Sequence, residues 1–117
     1  MEQSTVRSLR SGPRHKVFLP AEAEFGQARH RVHLLDLSRG GALLHSETPP
    51  HYNDHILLLA GPITRRARVT RVLDRKIGIA FVAPLSEEEL RDILEEHQTM
   101  LLHHRERMAM HDQSVIR

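Results

Sequence analysis

The stretch LLDLSRGGALL, Leu34–Leu44, decides how this sequence is read. It is apolar at both ends, as two strands would be, and it breaks between them for Asp36, Ser38 and a Gly40-Gly41 pair. Glycine permits sharp turns and lets another group approach the backbone closely. Asp and Ser favour turns because their side chains bond to nearby backbone. Two readings follow: a turn held by its own side chains, or a backbone-lined seat for a ligand. The flanking sequence decides between them.

Upstream, Val17, Leu19, Ala21, Ala23 and Phe25 alternate with Phe18, Pro20, Glu22 and Glu24, which predicts a strand from Lys16 with one buried face. Gly26-Gln27 turns the chain into a second strand, Ala28 to Leu37, with Val32 and Leu34 opposite to His33 and Leu35. Downstream, Ala42–His45 reads as a short third strand. Pro49-Pro50 holds SETPPHYND as a loop. HILLLA, His55–Ala60, is a fourth strand closed by Gly61-Pro62. TRRARVTRVLD sets Arg66, Arg68 and Thr70 against Ala67 and Val69, a fifth strand with one wet face. RKIGIAFV places Ile77, Ile79 and Phe81 on one side and Gly78 on the other, where a close neighbour or a bend is expected.

The last third changes period. Ser86 is followed three residues later by Glu89, the spacing of a capping box, and acids crowd the first turns, as the helix dipole favours. Leu90, Ile93, Leu94, Leu101 and Met108 form a helical stripe that His97 and His104 complete, over about residues 87 to 110. The chain therefore reads as mainly β: a small six-stranded antiparallel β-barrel with a C-terminal α-helix packed on or beside it. The expected division is a flexible basic arm over 1–15, the barrel over 16–85 and the helix over 86–112, together one domain.

A length of 117 residues suits a single core. Absence of cysteine excludes disulfides and thiol chemistry and fits a cytoplasmic protein. No apolar run reaches the roughly 20 residues of a membrane helix, so membrane insertion is not expected. The net charge of +2 is too small to imply a nucleic-acid protein. Its distribution says more. Arg7, Arg10, Arg14 and Lys16 stand together without an acid, and six basic residues lie between Arg65 and Lys76.

Nothing here spells catalysis. Ten histidines are many, but no metal-ligand spacing occurs: His51 and His55 flank a loop, and His103 and His104 are adjacent. Ser38 and Asp36 share one turn with no histidine to orient them. No enzyme activity, metal or cofactor is expected. The arginines are more suggestive. Arg10 and Arg14 sit four apart in a segment that Gly12-Pro13 keeps from being a helix, and each offers a planar fork for phosphate and a flat face for a base. In the opening stretch the Asp36 carboxylate can accept from the N1–H and N2–H₂ edge of a guanine, with Ser38 beside it. Gly40 and Gly41 leave room for the approach.

The two segments together resemble the PilZ domain, a bacterial receptor for cyclic diguanylate (cyclic di-GMP). The family carries R-x-x-x-R and then [D/N]-x-S-x-x-G; this chain has RSGPR, Arg10–Arg14, and DLSRGG, Asp36–Gly41, with a β-hairpin between. GGALL, KIGIAFV and LSEEELRDIL are similar to the family's later strands and closing helix. The resemblance implies a six-stranded barrel and an effector rather than an enzyme. It implies that Arg10 and Arg14 grip phosphates and stack on guanine, that Asp36 and Ser38 read a guanine edge, and that Gly41 keeps the approach clear. The residue before the first motif arginine influences how many ligands bind. Here it is Leu9, uncharged though near Arg7, and one ligand per chain is expected.

An unidentified effector protein of motility, exopolysaccharide or biofilm control is the implied partner. Beyond Glu96 the helix carries Met100, Leu101, Leu102, Met108 and Met110 on more than one face. That pattern suits packing on the barrel or a weak homodimer through the helix. The other readings are a nucleic-acid-binding barrel using the Arg65–Lys76 strand, disfavoured by only 3% aromatic residues, and a scaffold that binds no nucleotide.

Overall fold

The structure, a computed structural model, describes residues 12–116, with side chains described as far as Leu102. Arg7, Leu9 and Arg10 lie outside the described residues, as do the side chains of His104, Met108 and Met110. Six strands, β1 (His15–Phe25), β2 (Ala28–Leu37), β3 (Gly41–Ser46), β4 (His55–Ala60), β5 (Ile63–Leu73) and β6 (Lys76–Phe81), are followed by one helix, α1 (Glu87–Ile116).

The strands close in the order β1-β2-β3-β6-β5-β4, and β4 returns to pair with β1. Every pairing is antiparallel. Closure leaves no open edge, and a six-stranded barrel is narrow enough for side chains to fill. Period-two alternation supplies that filling: Leu19, Ala23, Val32, Leu34, Leu44, Leu58, Val69 and Ile77 all point into one buried core. The expected strands fall on the observed ones within a residue or so at each end. The β1–β2 hairpin turns on Gly26 and Gln27, both with positive φ (59° and 61°), the two-residue turn whose twist matches antiparallel strands.

Helix α1 begins as its sequence predicts. Ser86 Oγ accepts from the Glu89 N–H at 3.0 Å, and Glu89 Oε1 accepts from the Ser86 N–H at 2.9 Å. The same carboxylate oxygen pairs with Arg65, an inward-facing residue of β5. The Ser86 N–H, then the Arg65 charge, hold the Glu89 carboxyl below its ordinary pKa. Arg65 Nε is buried with no partner among the described residues. Leu85, Leu90 and Ile93 close one end of the barrel, with Leu94 packed against them. The Phe18 N–H donates to His97 Nε2 at 3.3 Å, and the Phe18 ring stacks on His33 at 4.6 Å.

Two expectations for the helix need correction. It runs to Ile116 rather than to about 110 or 112. Leu101, placed by periodicity on the packing stripe, is 47% exposed, and Met100 and Leu102 are exposed with it. A helix of 30 residues is about 45 Å long at 1.5 Å per residue. Among the described side chains, those from Gln98 to Leu102 are all exposed.

Candidate functional site

Asp36 owes its position to a break in the alternation. On one side Lys16 pairs with Asp36 and Leu19 with Leu34; on the other, Leu34 pairs with Leu44 and Asp36 with Leu43. Against β3, Leu35 is one residue too many, a β-bulge. Strict alternation from buried Leu34 would send Asp36 into the core. With the bulge, Leu37 takes the core position and Asp36 turns to the outer face.

There Asp36 forms one wall of a cleft of about 390 Å³. Arg14 stands beside it, just ahead of β1, with Nη1 3.4 Å from Asp36 Oδ2. The Arg14 side chain is 64% exposed, so this pairing is loose and easily redirected. The other carboxylate oxygen, Asp36 Oδ1, is buried and has no hydrogen-bond partner among the described residues. A buried acceptor without a donor carries a cost of about 1–3 kcal/mol.

Ser38 and the two glycines play different parts. Ser38 is buried, and both its N–H (2.9 Å) and its hydroxyl (3.4 Å) donate to Gly41 O. For this residue the self-bonded turn is the observed state, although it lines the cleft. A Cβ on Gly41 would lie 2.2 Å from Ile79 O in β6. Glycine is required there by the approach of two strands, whatever clearance it also gives a ligand. Gly40 O accepts from the Phe81 N–H at 2.9 Å. Arg39 ties the loop to the segment entering α1: its carbonyl accepts from the Leu85 N–H and its Nε donates to Leu85 O, each at 2.8 Å.

The floor is made of small residues. Gly41, Gly78 and Ala80 lie in it with Leu43, and a Cβ on Gly78 would touch Thr70 Oγ1 at 3.4 Å. The far wall is Thr70 and Arg71. Thr70 Oγ1 donates to Gly78 O at 3.1 Å. The sequence reading did not place Arg71 at the site. It counted Arg71 among a basic run, and no local pattern marks it out. That run is not one continuous surface either. Arg65 points inward to Glu89, Arg66 and Arg68 point out, and Arg71 lines the cleft.

Arg14, Asp36, Ser38, Gly40 and Gly41 are thus brought to one place by the fold, while Arg7, Leu9 and Arg10 fall outside the described residues. A second groove, lined by Arg14, Lys16, Leu90, Arg91 and His97, lies between β1 and α1. Among the described residues no group of His, Asp or Glu is placed to hold a metal ion, and no helix is long and apolar enough to cross a membrane.

A closed six-stranded barrel with a polar, small-floored cleft on its wall and a capping helix at one end defines a class of ligand-binding domain. The PilZ domain family model matches residues 8–97, and the chain belongs to that family. Among solved structures it is similar to that of the Borreliella burgdorferi PlzA protein in complex with c-di-GMP, with a TM-score of 0.60 and 19% identity. The match covers 82% of this chain and 44% of the PlzA chain, so this chain spans under half the length of that protein. At such identity the likeness is one of fold. No curated protein matches the sequence.

Proposed function

We propose that this chain is a receptor for cyclic di-GMP that converts ligand binding into a signal to a partner protein and performs no chemistry on the ligand. The observation that carries the reading is Asp36: a carboxylate turned out of the core by a bulge, with one oxygen buried and without a partner among the described residues, at the wall of a cleft that also holds Arg14. A guanine offers the two adjacent donors, N1–H and N2–H₂, that such a carboxylate lacks. Membership of the PilZ family and the fold likeness to a c-di-GMP-bound protein support the same ligand.

On binding, Arg14 leaves its loose contact with Asp36 for a phosphate, and Arg10 joins it, one ligand being taken per chain. Charge-assisted bonds to phosphate are worth roughly 1.5–3 kcal/mol each and offset the cost of ordering chain and side chains. The two hydrogen bonds between Arg39 and Leu85 support a route for the signal, because they link the ligand loop to the segment entering α1. The receiving protein belongs to motility, exopolysaccharide or biofilm control in this reading, and the site of action is the cytoplasm.

Isothermal titration of the chain with cyclic di-GMP tests the proposal. Wild type should bind, with affinity falling as salt rises. Arg10→Ala, Arg14→Ala and Asp36→Asn should each lose binding with melting temperatures close to wild type. Absence of binding by folded wild type in low salt, or equal affinity in the three variants, would overturn it.

A further inference from the structure

The cleft has two charged walls, and both are made by the same device. In β5, Val69 pairs with Ile79 and Arg71 with Gly78, so Thr70 is an extra residue, a second bulge. Alternation from buried Ala67 and Val69 would send Arg71 to the core. The bulge turns it to the outer face instead, as the bulge at Leu35 does for Asp36. Two bulges that each re-aim a charged residue into one cleft are features of a site rather than accidents of a strand.

The pairing register puts these walls on one line. Asp36 pairs with Leu43, Leu43 with Gly78, and Gly78 with Arg71. Three strand spacings lie between Asp36 and Arg71 along the curved barrel wall, about 14 Å at 4.8 Å per step. Between them Gly78 contributes no side chain. The arginines that pair with acids among the described residues are Arg14, Arg29, Arg65 and Arg75; Arg71 is not one of them.

We propose that Arg71 is a ligand-contact residue of the cleft, its guanidinium taking the O6/N7 acceptor edge of the guanine whose donor edge Asp36 reads. The inference rests on the cyclic di-GMP reading above and adds a specificity determinant to it. Guanine presents donors on one edge and two acceptors on the adjacent one. The bidentate arginine fork matches O6 and N7, whereas adenine places an amino donor where O6 would be. Asp36 alone would reject adenine through its missing N2 amine. Arg71 rejects it a second time by meeting a donor.

The test is titration of the full chain with cyclic di-GMP, its 7-deazaguanine analogue, which lacks N7, and cyclic di-AMP. Arg71→Ala removes the fork, and Arg71→Lys keeps the charge without it; thermal melts check that both fold. Both variants should bind cyclic di-GMP roughly tenfold or more weakly than wild type. The analogue should bind wild type several-fold more weakly than cyclic di-GMP and bind Arg71→Ala equally well. The preference over cyclic di-AMP should narrow in both variants. Wild-type affinity in Arg71→Ala, or an N7 penalty that survives the substitution, overturns the inference and leaves the receptor reading standing. Failure of wild type to bind cyclic di-GMP overturns both.

Discussion

Removing the Asp36 carboxylate should make the free protein more stable while it destroys the site. Asp36 Oδ1 is buried without a partner among the described residues, a state that costs about 1–3 kcal/mol. Its other oxygen meets Arg14 at 3.4 Å, and that arginine is mostly exposed, a contact worth roughly 0–1 kcal/mol. In Asp36→Ala the first contribution is relieved and the second is lost. The balance is a gain of about 1 kcal/mol, or a rise of about 4 °C in melting temperature for a domain near this size. The assay is thermal denaturation by circular dichroism without nucleotide, paired with titration of cyclic di-GMP. A melting temperature that falls by several degrees would refute the reasoning. It would mean that the carboxylate holds the turn together, as in an ordinary Asx turn, and does not wait for a ligand.

Other outcomes follow from the same geometry. Gly41→Ala should lower the melting temperature of the free protein by several degrees, because its Cβ would stand 2.2 Å from Ile79 O and β3 must draw away from β6; overpacking of this kind costs about 1–3 kcal/mol. An unchanged melt would assign Gly41 to the ligand alone. Gly78→Ala should leave the fold intact, since its Cβ meets only ordinary contacts, yet weaken nucleotide binding by raising the floor. Retained affinity on titration would place the ligand elsewhere. Glu89 has a folded pKa held below its ordinary 4.5, so its contribution to stability is present above that value and is lost as pH falls through the lowered one. Melts at pH 7 and pH 3 should therefore show a smaller acid loss in Glu89→Gln than in wild type, and equal losses would count against the Ser86–Glu89–Arg65 arrangement.

The sequence by itself determined the elements. Alternating apolar residues specify each strand through the side-chain period of two, and hydrophobic burial enforces it. The Ser86–Glu89 box fixed the start of α1, because both of its hydrogen bonds are local. The motif segments Arg10–Arg14 and Asp36–Gly41 nominated a site through their resemblance to a family pattern, and of their residues the fold brings Arg14, Asp36, Ser38, Gly40 and Gly41 to one cleft. Tertiary structure decided what depends on pairing with a distant strand. The same alternation that identifies β2 and β5 sends Asp36 and Arg71 inward, and only the bulges at Leu35 and Thr70 bring them out to one cleft. A bulge is a mismatch between partners, so neither strand's own residues announce it. The need for Gly41 comes from β6, 38 residues further along at Ile79. The helix shows the same division: its periodicity continues past His97, yet the described side chains from Gln98 to Leu102 are exposed, and that limit belongs to the packed shape rather than to the chain.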